Sequence, residues 1–385
     1  MVRQGLPQLA KAGARWLAIW TTLLVSAEAA TRVDDAVVWK APLLSLYSED
    51  RLMIRDSLGT RGRPNYRFEK WRMNNAGFRG SDIQASPASG ISRVVVLGAS
   101  ETFGLQESEG AEYPARMQVT LGSLAPGRFE VINAALPGMG LPAMTSYYQQ
   151  FVARFRPKFV VVYPTPTFYL LVDPLSSVPE APRQGWNKTK SRAFSEVFQS
   201  RLVTKARDAL KQLVPTTLLT WGREWQLRRI RAKHEPRWVW DSVPAERMAL
   251  FQQHLERMVR TVQASGAMVI LATHTNRYLG LPPSTVHRDR LHLVNLMAKD
   301  YPRATTKVMV GVDTAANSII RRIARDRNVL VVEVEGRIPP RSRYFFDYSH
   351  FTDEGADIMA RLLAAALVAF PGESTARTMA VGGRP

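Results

Sequence analysis

Five short runs rich in β-branched and aromatic residues, Arg93–Leu97, Phe129–Asn133, Phe159–Tyr163, Ala267–Thr273 and Val329–Val334, constrain this chain more than any other feature. Each is mostly apolar over a strand's length, which suits a strand covered on both faces. Helical patterns fall between them. The clearest begins after Ser242, places Pro244 in its first turn, repeats Met248, Phe251, Leu255, Met258, Val259 and Val262, and stops at Gly266. Strands alternating with helices imply right-handed crossovers and an α/β fold, a parallel central sheet with helices on both faces.

The first run ends abruptly in small residues, Val94-Val95-Val96-Leu97-Gly98-Ala99-Ser100-Glu101-Thr102-Phe103-Gly104. Sites in open α/β sheets lie at the carboxyl edge of the strands, so Ser100 is delivered to such an edge. Far along the chain, Asp347-Tyr348-Ser349-His350 precedes the last helical pattern. An imidazole and a carboxylate three residues apart can be held by one loop, with the carboxylate fixing the tautomer. Taken singly, Gly-x-Ser is common in strand-to-helix turns and a histidine at a helix start often only packs. The strained elbow of α/β-hydrolases is disfavoured, because it requires glycine two residues after the serine and Thr102 stands there.

In combination these blocks resemble the SGNH (GDSL-type) hydrolase family. A segment ahead of the serine, Asn74-Asn75-Ala76-Gly77-Phe78-Arg79, is similar to that of its membrane-anchored bacterial branch. The likeness runs from Glu49 to Leu367 with one long insertion. The family's Gly-Asp-Ser-x-x-x-Gly appears as Gly98-Ala99-Ser100 with Gly104, alanine replacing the acidic residue. A second block is Val131-Ile132-Asn133-Ala134-Ala135-Leu136-Pro137-Gly138, and the last is Asp347 with His350. The resemblance implies a three-layer, flavodoxin-like fold with Ser100, His350 and Asp347 catalytic. It also implies an oxyanion site built from the N–H groups of Ser100 and Gly138. Where the family has a third, asparagine donor this chain has Thr167, and Thr165 or Asn276 are the other residues able to take that place. Losing one oxyanion donor costs about 100- to 1000-fold in turnover.

There is no cysteine, which excludes thiolate nucleophiles and cysteine-held zinc, and the six histidines form no His-Glu-x-x-His cluster. No cofactor is called for. The formal charge of +19 raises nucleic acid as a partner. Its distribution argues against one: between Ala181 and Trp240 there are 14 basic and 4 acidic residues, about half of the excess in one stretch. There, Trp221 to Arg231 interleaves apolar and basic residues and can lie on an anionic membrane or pack over the domain through Trp221, Trp225 and Leu227. Trp16 to Val25 is an apolar core behind Arg3, Lys11 and Arg15, followed by Ser26-Ala27-Glu28-Ala29-Ala30. That pattern fits an export signal or an uncleaved membrane anchor.

The expected organisation is a cytoplasmic start plus anchor or signal over residues 1–31, an extended wrapping segment over 32–90, and the SGNH-like domain over 91–370. An insertion spans 173–241, and residues 371–385 form a disordered tail. Tryptophans 221, 225, 238 and 240 suit either a small core within the insertion or a platform for sugar rings. The expected function is an exported serine esterase acting on an acyl ester, foremost O-acetyl, of a cell-envelope glycan. The location would be periplasmic, tethered to the inner membrane or secreted. A polysaccharide O-acyltransferase with the same site, or a non-catalytic glycan-binding or assembly protein of the same fold, are the alternatives.

Overall fold

The computed structural model of the chain describes residues 5–39, 43–44, 52–57, 59–171 and 200–370. In chain order these form helix α1 (Gly5–Trp39), hairpin strands β1 (Met53–Asp56) and β2 (Gly59–Gly62), and a second hairpin of β3 (Arg67–Phe68) and β4 (Trp71–Arg72). Then come β5 (Ser92–Gly98), α2 (Ser100–Phe103), α3 (Tyr113–Leu124), β6 (Phe129–Asn133), α4 (Leu141–Tyr147), β7 (Phe159–Tyr163), α5 (Arg201–Leu213) and α6 (Thr216–Arg231). The chain continues through α7 (Ala245–Ala264), β8 (Met268–Ala272), α8 (Pro283–Arg288), α9 (Leu291–Lys299), α10 (Thr306–Asp326), β9 (Leu330–Val332) and α11 (Asp353–Val368).

The five apolar runs form one parallel sheet in the order β6-β5-β7-β8-β9. Every residue of β5 and β7 is buried. The two-residue side-chain period sends Val94 and Val96 into the layer containing α3 and α11, and Val95 and Leu97 into the layer containing α4, α7 and α10. The chain is therefore an α/β protein of three layers with flavodoxin-like strand order, and the strand order reverses between β5 and β7. Ser100 follows β5 and Thr167 follows β7, so both stand beside the crevice that such a reversal opens.

Local chemistry sets the boundaries near the site. Thr352 caps α11 by accepting from the Gly355 N–H, so the helix starts just after His350. Helix α7 buries the expected stripe from Met248 to Val262, with Pro244 at its N-cap and not inside its first turn.

Three expectations change. Residues 33–39 continue α1 and are not extended. Glu28 and Arg32 pair one turn apart within the helix, and buried Asp35 pairs with Arg201 of α5. Glu28 also accepts from Ser200 Oγ and from the N–H groups of Arg201 and Leu202, so it caps α5. No helix of the described residues is long and apolar enough to cross a membrane, so the expected spanning anchor has no support here. Trp221 and Trp225 are 63% and 49% exposed and do not build a core; only Leu227 of that stretch is buried, where α6 meets α9. The start of the insertion, 173–199, and the expected tail, 371–385, lie outside the described residues.

Candidate active site

Ser100 is placed by a one-turn helix and by what braces it. A Cβ on Gly98 would run into the Thr102 side chain, so only glycine lets α2 start so close to the strand. Gly104, at φ +82, then ends the turn in a left-handed conformation that favours glycine. The last carbonyls of the turn need donors. The Arg79 guanidinium supplies them to Phe103, at 2.7 Å, and to Gly104, while Asn133 Nδ2 donates to Thr102 at 3.1 Å. Buried Glu112 pairs with Arg79 at 3.3 Å. The Asn74 carboxamide oxygen accepts from the N–H groups of Ala76 and Phe78 and so shapes the loop that presents Arg79. The segment Asn74–Arg79 is thus a brace under the turn that carries Ser100.

The loop before α11 supplies the partners. His350 Nε2 lies 2.8 Å from Ser100 Oγ, and His350 Nδ1 lies 2.9 Å from both carboxylate oxygens of Asp347. The N–H groups of Ser349 and His350 donate to Asp347 Oδ1 at 3.2 and 3.1 Å, which fixes the carboxylate against its own loop. The loop is closed by the Phe346 N–H donating to the His350 carbonyl at 2.8 Å. The side chains of His350 and Asp347 are 19% and 29% exposed, so the site opens to solvent.

The electrostatics favour an imidazolium. Burial opposes the proton on His350, but Asp347, followed by Glu101 and Glu107, lifts its pKa to about 9. Burial would raise the Asp347 carboxyl, yet His350 holds it below the usual range. Burial pushes Glu107 up to about 8 despite the nearby Arg79. Chemically, the arrangement gives a hydroxyl within reach of a base whose other nitrogen is anchored by a carboxylate. That is the minimum set for nucleophilic attack on a carbonyl.

The oxyanion candidates separate. Gly138 sits in an exposed turn at φ +75, and Thr167 is buried in the 3₁₀ turn Pro166–Leu170. Thr165 donates its hydroxyl to Glu101 at 3.2 Å. Asn276 Nδ2 is taken up by Asp313 and by Tyr348 Oη at 3.2 Å. Thr165 and Asn276 are thus engaged by other groups, whereas among the described residues no acceptor takes up the Thr167 hydroxyl.

Four charged residues near the site were not singled out from the sequence: Glu101, Glu107, His274 and Asp313. Glu101 adjoins Ser100 and His274 follows β8 at the same carboxyl edge, a position that could have flagged both. A cavity of about 270 Å³, lined by Arg79, Glu109, Glu112 and Glu130 among others, lies against α3 and β6, and an open apolar one of about 470 Å³ lies along α5; neither includes Ser100 or His350. Proximity of the reacting groups therefore locates the site better than cavity size does.

No family model and no curated protein matches the sequence. Among solved structures, the chain is similar to LAE5, an alpha/beta hydrolase enzyme from the metagenome of Lake Arreo, Spain, at 14% identity over 71% of this chain and 94% of that one, with a TM-score of 0.41. It is similar to Axe2, an acetylxylan esterase from Geobacillus stearothermophilus, at 12% identity over 72% and 94% of the two chains, with a TM-score of 0.40. A third similarity is to a protein ascribed to the lipolytic G-D-S-L family from Desulfitobacterium hafniense, at 13% identity over 71% and 99%, with a TM-score of 0.37.

Proposed function

We propose that the chain is an SGNH-type serine esterase that cleaves an acyl ester through Ser100, His350 and Asp347. The observation that carries this reading is the continuous line Ser100 Oγ, His350 Nε2, His350 Nδ1, Asp347, with contacts of 2.8 and 2.9 Å. Neutral His350 takes the proton of Ser100 as Oγ attacks the acyl carbonyl carbon. The resulting oxyanion is received by the N–H groups of Ser100 and Gly138, with Thr167 as third donor. Collapse of the tetrahedral intermediate breaks the ester C–O bond, and the imidazolium returns its proton to the leaving alcohol. Water, deprotonated by His350, then releases the acyl group from Ser100.

The substrate in this reading is an O-acetyl or similar short acyl ester on a cell-envelope glycan, outside the cytoplasm. The site's solvent exposure suits a bulky alcohol moiety that remains largely outside the protein. Export is supported by the basic lead and apolar core of α1, whose Trp16, Leu17 and Trp20 are each at least 60% exposed. Tryptophans flanked by Lys11 and Arg15 suit a membrane surface. The close approach of Ser100 and His350 favours an enzyme over a glycan-binding protein, which has no use for it.

The test is acetate release from an O-acetylated oligosaccharide and from a simple aryl acetate. The wild-type protein is expected to release acetate from both and Ser100→Ala from neither. Release that survives in Ser100→Ala contradicts the reading. An alkaline phosphatase fusion after Ala30 is expected to be active, since that reporter matures only in an oxidising compartment.

A further inference from the structure

Behind the Ser100–His350 pair lies a second, fully buried set of charges that the esterase reading does not use. Glu101 is 2% exposed. Its carboxylate accepts from Ser349 Oγ at 2.9 Å, from Thr165 Oγ1 at 3.2 Å and, at the long distance of 3.4 Å, from Ser100 Oγ. Next in line is His274, with no exposed surface; its Nε2 is 3.9 Å from Glu101 and its Nδ1 is 3.1 Å from Asp313. The first is beyond hydrogen-bond reach and the second is not aligned as a hydrogen bond, so the attraction is ionic.

The arrangement is built, not incidental. Asp313 and Asn317 stand one turn apart on α10. Asn317 holds the His274 backbone from both sides, accepting from its N–H at 2.6 Å and donating to its carbonyl at 2.8 Å. The His274 ring stacks on Tyr163 at 4.9 Å between centroids. The far end of the set returns to the triad loop, because Tyr348 Oη lies 3.4 Å from Asp313 and Ser349 donates to Glu101. Both buried carboxylates thus grip the loop Asp347–His350 from beneath. Burying three charges costs several kcal/mol per ion before their attraction is counted, and apolar residues would serve stability as well.

We propose that Asp313 and His274 keep Glu101 ionised, so that Glu101 acts as a second carboxylate on the Ser100 side of His350 and stabilises the imidazolium formed during attack. Glu101 and its two supports are positioning residues. The inference rests on the esterase reading of Ser100, His350 and Asp347. The charges agree with it: burial alone would raise Glu101, but His274 and then His350 hold it down to about 2. Burial likewise opposes the proton on His274, yet Asp313 and Glu101 lift it to about 9. Asp347, Glu101 and Glu107 face His350, with Arg79 and Lys70 beyond Glu107. Tyr163 and Tyr113 face Glu101, and both are pushed above their ordinary range by burial.

The test combines two readouts on the full chain: the His350 pKa from ¹⁵N-histidine NMR, and the pH dependence of labelling by a fluorophosphonate probe. An opposite charge within about 4–6 Å shifts a pKa by about one to three units. In Glu101→Gln the His350 pKa is therefore expected to fall by about one unit, the acid limb of labelling to move down with it, and the plateau rate to drop about 10-fold. Asp313→Asn is expected to act in the same direction, and Glu101→Asp, which restores the charge, to keep the His350 pKa within a few tenths of a unit of wild type. Labelling that proceeds in wild type while the His350 pKa is unmoved in Glu101→Gln overturns the inference and leaves the esterase reading standing. Absence of labelling in wild type overturns the esterase reading, whereas the NMR shift still decides whether Glu101 and His350 are coupled.

Discussion

His350 Nε2 and Ser100 Oγ meet at 2.8 Å across 250 residues of chain. One partner comes from the end of a central strand and the other from the loop before the last helix, so their meeting depends on the whole sheet being assembled. Asp347 then fixes the imidazole through Nδ1 within that same loop.

Asp347→Asn keeps the size of the side chain but presents an amide to His350. It is expected to lower kcat for an aryl acetate by about 10³- to 10⁴-fold through loss of the correct tautomer, with the fold unchanged by circular dichroism. A loss below about 10-fold would remove Asp347 from the orienting role.

Thr167→Val keeps the shape and removes the hydroxyl. If that hydroxyl donates to the oxyanion, kcat falls by about 10- to 1000-fold with little change in KM. Thr167→Asn, which restores an amide donor, retains or raises activity. A silent Val together with a destabilising Asn would show that Thr167 only packs beneath the site.

Arg79→Met removes the donor to the Phe103 and Gly104 carbonyls and leaves Glu112 buried without its counter-ion. The expected loss of stability in urea unfolding is about 3–5 kcal/mol. A change under about 1 kcal/mol would mean that the turn under Ser100 does not depend on this brace.

His274 carries a pKa of about 9 when folded, against an ordinary 6.5. Because the folded pKa is raised, the stabilisation is present below about pH 6.5 and is lost as pH rises through 9. The melting temperature is expected to fall over that interval. His274→Gln should be less stable at pH 6.5 and show a shallower fall, the remainder coming from His350 and Glu107. An equal fall in both proteins would show that His274 is not charged in the folded state.

The sheet was legible because buried parallel strands are written as mostly apolar runs, and β6 and β7 have the boundaries expected of them. Asp347 and His350 were legible because their contact is local, three residues apart in one loop. Glu101, His274 and Asp313 were not, since nothing local marks a contact between a residue on the first core strand's turn and one after the fourth. For Trp221 and Trp225 the sequence left a buried and a surface role open, because periodicity gives a helix an apolar stripe without saying which side α9 covers; their exposure removes the buried one. The extension of α1 to Trp39 was hidden for a similar reason: Asp35 is polar in sequence, but it is buried through pairing with Arg201.

The central claim, that Ser100 is an activated nucleophile, is tested most directly by mass spectrometry of the protein after exposure to a fluorophosphonate. The account predicts one adduct per chain, located on the peptide that contains Ser100, formed faster as pH rises toward 9 and His350 loses its proton, and absent from both Ser100→Ala and His350→Ala. An intact, folded wild-type protein that acquires no adduct, or acquires one on a different serine, would contradict it.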